Sequence, residues 1–135
     1  MRRLLSVKYS AGAFNTAILL LRIVSGGLMV QHGLGKLKNF EGTAAKMMNF
    51  MGIGQTASAA LVVFAEFFCA ILIIVGLLTR LASIPLIVTM AVALFVAHKG
   101  DFFGDGQTAA LFLVSYIVLL LVGPGRISAD SLISK

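Results

Sequence analysis

The sequence predicts an all-α fold: an integral membrane four-helix bundle with a short interfacial helix in its first outer loop. Composition is the first reason. Of 135 residues 59% are hydrophobic and 12% charged, with a mean hydropathy of +1.03, more apolar surface than a soluble domain of this size can hide. The second is arrangement: four apolar stretches with short connections fill nearly the whole chain, each close to the roughly 20 residues a spanning helix needs. The third is charge. The net charge of +6 comes from eleven Lys and Arg dispersed at segment ends, which reads as membrane flanks facing a lipid bilayer, with no nucleic acid partner.

The reading is one membrane domain over 1–135, with spans at about 14–34, 57–78, 81–98 and 108–122. The opening Met1-Arg2-Arg3 resembles the start of a signal peptide, but Arg22 interrupts the apolar region and no small-residue cleavage site follows, so the first segment reads as a retained span. It carries Gln31, His32 and Lys36 at or beyond its far end. The connection over 35–56 is too long for a turn. Its Ala44, Ala45, Met47, Met48, Phe50 and Met51 around Lys46 and Asn49 suit a helix lying on the interface or a loop packed on the bundle. The methionines suit an apolar portal or simple gap filling.

The second span holds Glu66 and the single cysteine, Cys69, so neither an internal disulfide nor a Cys-x-x-Cys pair can form. Thr79-Arg80 reads as a tight turn that folds the third span back on the second, with Pro85 in the first turns of the third, where a missing N–H costs little. The fourth span is short and stops at Gly123-Pro124-Gly125. Four spans put both termini on one side, with Arg2, Arg3, Lys8, Arg80, Arg126 and Lys135 there and Lys36, Lys38, Lys46 and Lys99 opposite. The positive-inside rule then makes both termini cytoplasmic.

Charges inside the spans are costly and point to function or to register. Arg22 and Glu66 are expected at similar depth, within about 6 Å when counted along the helices, and hence paired. Such a pair is equally consistent with a ligand site and with a register-setting ion pair. Arg22, Gly26, Met29, Gly33 and Lys36 share one helical face, as do Glu66, Cys69, Ala70, Ile73 and Arg80 on the second helix, and small residues there favour a close seam. His32 and His98 fall at the outer ends of their helices. They suit a metal, a proton shuttle, a quinone carbonyl, or plain interfacial hydrogen bonding. Asp101 and Asp105 lie in the Gly-rich turn beyond His98. No Ser/His/Asp order, phosphate loop or dinucleotide fingerprint is present.

Together these residues resemble the DoxX family: Arg22 in the first helix, His32-Gly33 and Lys36 at its end, Glu66 in the second, Gly76-Leu77-Leu78-Thr79-Arg80 at the turn, and Gly123-Pro124-Gly125-Arg126 after the fourth. The resemblance covers nearly the whole chain. It implies a multi-pass protein of a bacterial or archaeal cell membrane, linked to respiratory or thiol redox chemistry. With one cysteine and two histidines the chain lacks cysteine pairs for thiol exchange and ligands for an elaborate haem-copper centre. No catalytic residue and no metal site is therefore assigned. The expectation is an accessory subunit of a quinone-linked oxidoreductase, with a redox-protein partner, binding a quinone-like or other lipophilic ligand through Arg22, His32, Lys36, Glu66 and His98. The alternatives are a small proton-coupled transporter and a structural or assembly partner without ligand. The sequence leaves the oligomeric state open.

Overall fold

The computed structural model describes residues 4–46, 52–97, 104 and 106–133, and every regular element among them is helical. Helix α1 spans Ala11–Lys38. It outruns the apolar stretch at both ends, because the Ser10 hydroxyl caps it by accepting from the Ala13 N–H at 3.0 Å and because Gln31, His32 and Lys36 are as compatible with a helix as their apolar neighbours. After Asn39 the chain turns into α2, Phe40–Lys46, a short helix in the connection that the sequence reads as either a helix or a packed loop. The methionines at 47, 48 and 51 lie outside the described residues, as does His98.

Helix α3 covers Gln55–Val75 and is not uniform. Its middle, Phe64–Cys69, widens into a π-helical turn between two α-helical halves. Helix α4, Thr79–Val92, also ends in a π-helical turn, Ala93–Ala97. Helix α5 is Gln107–Val122, and a single turn of helix, α6, follows at Ala129–Ile133. Of these, α1 and α3 are long and apolar enough to cross a membrane, while α4 and α5 are apolar but shorter. α1 lies along α3, α4 lies along α5, and α1 and α5 also touch.

The turn between α3 and α4 differs from expectation. Thr79 and Arg80 belong to the first turn of α4, and the reversal is made one step earlier, over 76–78. Gly76 takes φ +78°, which only glycine adopts without strain. The Gly76 and Leu77 N–H groups both donate to the Leu72 carbonyl, at 2.8 and 2.9 Å, closing the helix in a Schellman arrangement. Pro85 is the seventh residue of α4 rather than near its start, so its missing N–H removes a real intrahelical bond.

Asp130, on α6, holds this reversal. Its carboxylate accepts from the Leu78 N–H at 2.7 Å and the Thr79 N–H at 2.9 Å, and its own N–H donates to the Gly76 carbonyl at 2.9 Å. It therefore caps α4 from a distant part of the chain, where Leu78 at φ 52° cannot cap for itself. Asp130→Ala is expected to cost about 1–2 kcal/mol, the usual value of such a cap, read as a lowered unfolding midpoint in detergent. An unchanged midpoint would mean the cap is dispensable.

The packing buries small and polar side chains beside a core that includes Met29, Ile73, Leu86, Tyr116 and Leu119, and leaves many other large apolar side chains outside. Ser25, Ser58, Ala59, Ala65, Ala70, Ala82 and Ser83 are buried, whereas Leu20 and Val24 on α1, Phe64 and Phe68 on α3, Ile84 and Val88 on α4, and Val114 and Leu121 on α5 are exposed. Gly26 makes the α1–α3 approach possible: a Cβ there would stand 2.6 Å from Ile74 Cγ1 and 3.0 Å from the Ala70 carbonyl oxygen.

Candidate functional site

Arg22 and Glu66 do not pair. The guanidinium is 2% exposed and is spent on backbone carbonyls. Nε donates to Ile73 at 3.0 Å, Nη2 to Ile74 at 2.9 Å, and Nη1 to Pro124 at 2.8 Å and Ile127 at 2.6 Å. Ile73 and Ile74 belong to the last turn of α3, where the helix supplies few donors, Ile73 having only the Gly76 N–H at 3.2 Å, and where the helix dipole favours a cation. Asp130 lies within electrostatic range of this cation. Arg22 thus caps α3 and ties α1 to the segment following α5.

Counting depth from the helix ends fails because the first turns of α1 extend past the end of α3. There they meet 125–126: the Arg126 N–H donates to Asn15 Oδ1 at 2.9 Å, and Gly125 packs on Asn15 and Ile18. Arg22 is consequently level with Ile73, and Gly33 is level with Glu66.

Glu66 pairs with Lys36. The ammonium is 2.8 Å from both carboxylate oxygens. It donates a hydrogen bond to Oε1, while Oε2 is buried with a charge nearby but no donor aimed at it. The pair is lopsided, with the Lys36 side chain 36% exposed and that of Glu66 4%. Two local features create it. Gly33 lets the backbones touch, since a Cβ there would lie 2.7 Å from Glu66 C and Phe67 N. The π-helical turn carries Glu66 itself, and such widened turns recur at functional sites because they re-aim side chains and loosen the backbone ladder.

Aromatic groups from α5 complete the surroundings. His32 is exposed and meets Phe112 edge-on at 6.0 Å, and Phe112 stacks on Tyr116 at 6.0 Å. The Tyr116 hydroxyl donates to the Ser25 carbonyl at 3.0 Å, and the Glu66 charge lies within its electrostatic range. Lys36, Glu66 and His32 therefore share the end of the bundle away from the α3–α4 turn, Arg22 is set apart, and His98 is outside the described residues.

Tyr116, Phe112, Asn15 and Asp130 were not among the residues expected from the sequence. Tyr116 carried a signal, as a polar-tipped residue in the middle of the fourth apolar stretch that must find an acceptor. Asp130 carried none, being one acid among polar residues after a helix stop.

A buried carboxylate whose two oxygens both lie 2.8 Å from an ammonium that reaches solvent can accept a further hydrogen bond or a proton, while the Lys36 ammonium, with a third N–H, can donate to a carbonyl.

The DoxX family model matches residues 17–99. "Putative oxidoreductase CatD" of Bacillus subtilis strain 168 is 31% identical over 125 residues, covering 91% of each chain. "Uncharacterized membrane protein Rv3486" of Mycobacterium tuberculosis is 28% identical over 134 residues, covering 88% of this chain and 82% of its own. "Inner membrane protein YqjF" of Escherichia coli K12 is 27% identical over 127 residues, covering 90% and 95% respectively. No solved structure matches. The family match spans most of the α1–α4 region that builds the Lys36–Glu66 pair, and the relatives align along nearly the full length: the chain belongs to the DoxX family, whose relatives here include membrane proteins.

Proposed function

We propose that the protein crosses a bacterial or archaeal cell membrane four times, with both termini cytoplasmic, and binds a quinone-like or other lipophilic carbonyl compound at the Lys36–Glu66 centre as an accessory subunit in redox chemistry. The observation that carries the ligand reading is the Lys36–Glu66 ion pair, a buried carboxylate on a π-helical turn facing an ammonium that still reaches solvent. A carbonyl-bearing ring would take the Lys36 ammonium as donor and Phe112 as a flat apolar neighbour. The outward Leu, Val, Ile and Phe on all four long helices support the four-span reading, because lipid accepts such surfaces and water does not. A relative whose name includes "oxidoreductase" supports the redox reading.

Arg22, fully engaged by carbonyls, has a structural role in this reading. Lys36 takes the place of Arg22 as the counter-charge of Glu66, and because its side chain is 36% exposed the pair is open to exchange with solvent, which leaves proton-coupled transport as a second reading.

One variant separates the two. With quinone binding, protein purified in mild detergent carries co-extracted quinone detectable by mass spectrometry, added quinone raises its unfolding midpoint, and Glu66→Gln or Lys36→Met weakens both effects by about tenfold in affinity. No quinone and no thermal shift would count against it. With transport, Glu66→Gln abolishes proton-driven flux in proteoliposomes.

A further inference from the structure

The face that carries the α3–α4 turn and the segment after α5 holds an open cleft of about 620 Å³, lined by Leu78, Arg80, Leu81, Arg126, Asp130 and Ile133 among others. We propose that this cleft binds the phosphate headgroup of an anionic phospholipid, with one acyl chain lying over Leu81 and the outer surface of α4.

Three observations carry this. First, the cleft holds cationic capacity that no described carboxylate uses. Its acid, Asp130, has both oxygens committed to the Leu78 and Thr79 N–H groups, and among the described residues the only ion pair is Lys36–Glu66 at the other end of the bundle. Arg80 and Arg126 are exposed, and neither guanidinium pairs with a carboxylate among the described residues.

Second, the Arg80 guanidinium is positioned by a built contact, and the backbone that carries Arg126 is fixed. The Arg80 guanidinium lies against Gly123, where a Cβ would stand 3.2 Å from Nε and Nη2; Gly123 has φ +82°, so glycine serves both the turn and the resting place of Arg80. The Arg126 backbone is pinned by Asn15 Oδ1. The Arg80 guanidinium, resting against Gly123, offers paired donors matched to phosphate oxygens.

Third, the rim is greasy where a lipid would need it to be. Leu78, Leu81 and Ile133 are 51%, 63% and 70% exposed, at the end of apolar helices where headgroups meet acyl chains. A free phosphate would have no use for that rim; a phospholipid uses both parts. The inference rests on the apolar helices spanning the bilayer and is independent of the quinone reading.

The test uses the full chain in detergent and native mass spectrometry, with phosphatidylglycerol, phosphatidylcholine and inorganic phosphate as probes. The expected result is retention of phosphatidylglycerol over phosphatidylcholine, weakened by salt. Arg80→Gln and Arg126→Gln should each weaken it about fivefold, and the double variant roughly 25-fold, while Lys8→Gln leaves it unchanged. Equal retention of the two lipids by the parent protein overturns the proposal whatever the variants do, as does a folded double variant that retains phosphatidylglycerol like the parent. Inorganic phosphate binding as tightly as the lipid also overturns it. Resistance of the protein to alkaline extraction from membranes tests the spanning reading separately.

Discussion

Arg22→Met is expected to destabilise the bundle by roughly 3–5 kcal/mol, the range seen when a buried charged group is removed and its partners are stranded. The substitution keeps length and apolar packing but leaves the Ile74, Pro124 and Ile127 carbonyls without this donor and Ile73 with only the Gly76 N–H at 3.2 Å. Water entering from the nearby cleft relieves part of that loss, which keeps the cost below three full penalties. Arg22→Lys retains the charge but replaces a planar fork by a single ammonium, which cannot reach carbonyls from two separate segments at once, so it should lose about half as much. Unfolding in mixed micelles measures both. A parent-like midpoint for Arg22→Met would show that the carbonyl shell contributes little.

Gly33→Ala is expected to cost about 1–3 kcal/mol through overpacking, and Gly33→Val more. The atoms in the way are the backbone of Glu66 and Phe67, 2.7 Å from where the added methyl carbon would sit, and backbone cannot rotate aside as a flexible side chain can. Relief requires α1 and α3 to separate, which also pulls Lys36 off the Glu66 carboxylate, so loss of any ligand bound there should accompany the loss of stability. Gly27 and Gly35 are the controls: neither has a neighbour within 4 Å of a Cβ, and alanine at either should be neutral or slightly stabilising. Equal effects at all three positions would show helix propensity rather than the seam at work.

The inward faces of the first two long helices were readable from spacing. Arg22, Gly26, Met29 and Gly33 are buried on α1, and Glu66, Cys69, Ala70 and Ile73 are buried on α3, because a 3.6-residue period survives in any helix that packs on one side. Arg80 dropped off the predicted face because Gly76 ends the helix before it and starts a new phase. The stop at Gly123 was legible for the same reason that Gly76 should have been, since each needs a positive φ that few residues tolerate.

Partners were harder to read than faces. Opposite charges invite pairing on paper, yet Arg22 found carbonyls, an acceptor set that every residue carries and no sequence pattern marks. The correct partner of Glu66 was Lys36, already placed on the right face and in the ligand-binding set but set near the outer surface and not against Glu66, since neither the overhang of α1 beyond α3 nor the widened turn at Phe64–Cys69 leaves a periodic trace. Asp130 acts across more than fifty residues, a distance at which only coordinates connect an acid to a turn.

Half of the carbonyl shell around Arg22, and the carboxylate that caps α4, come from residues 124–130. These residues lie more than a hundred positions from Arg22 in the chain, so the fold closes on itself like a clasp. Removing the stretch after Val122 should leave the four helices formed but α1 loosened from α3, seen as faster amide exchange around Arg22.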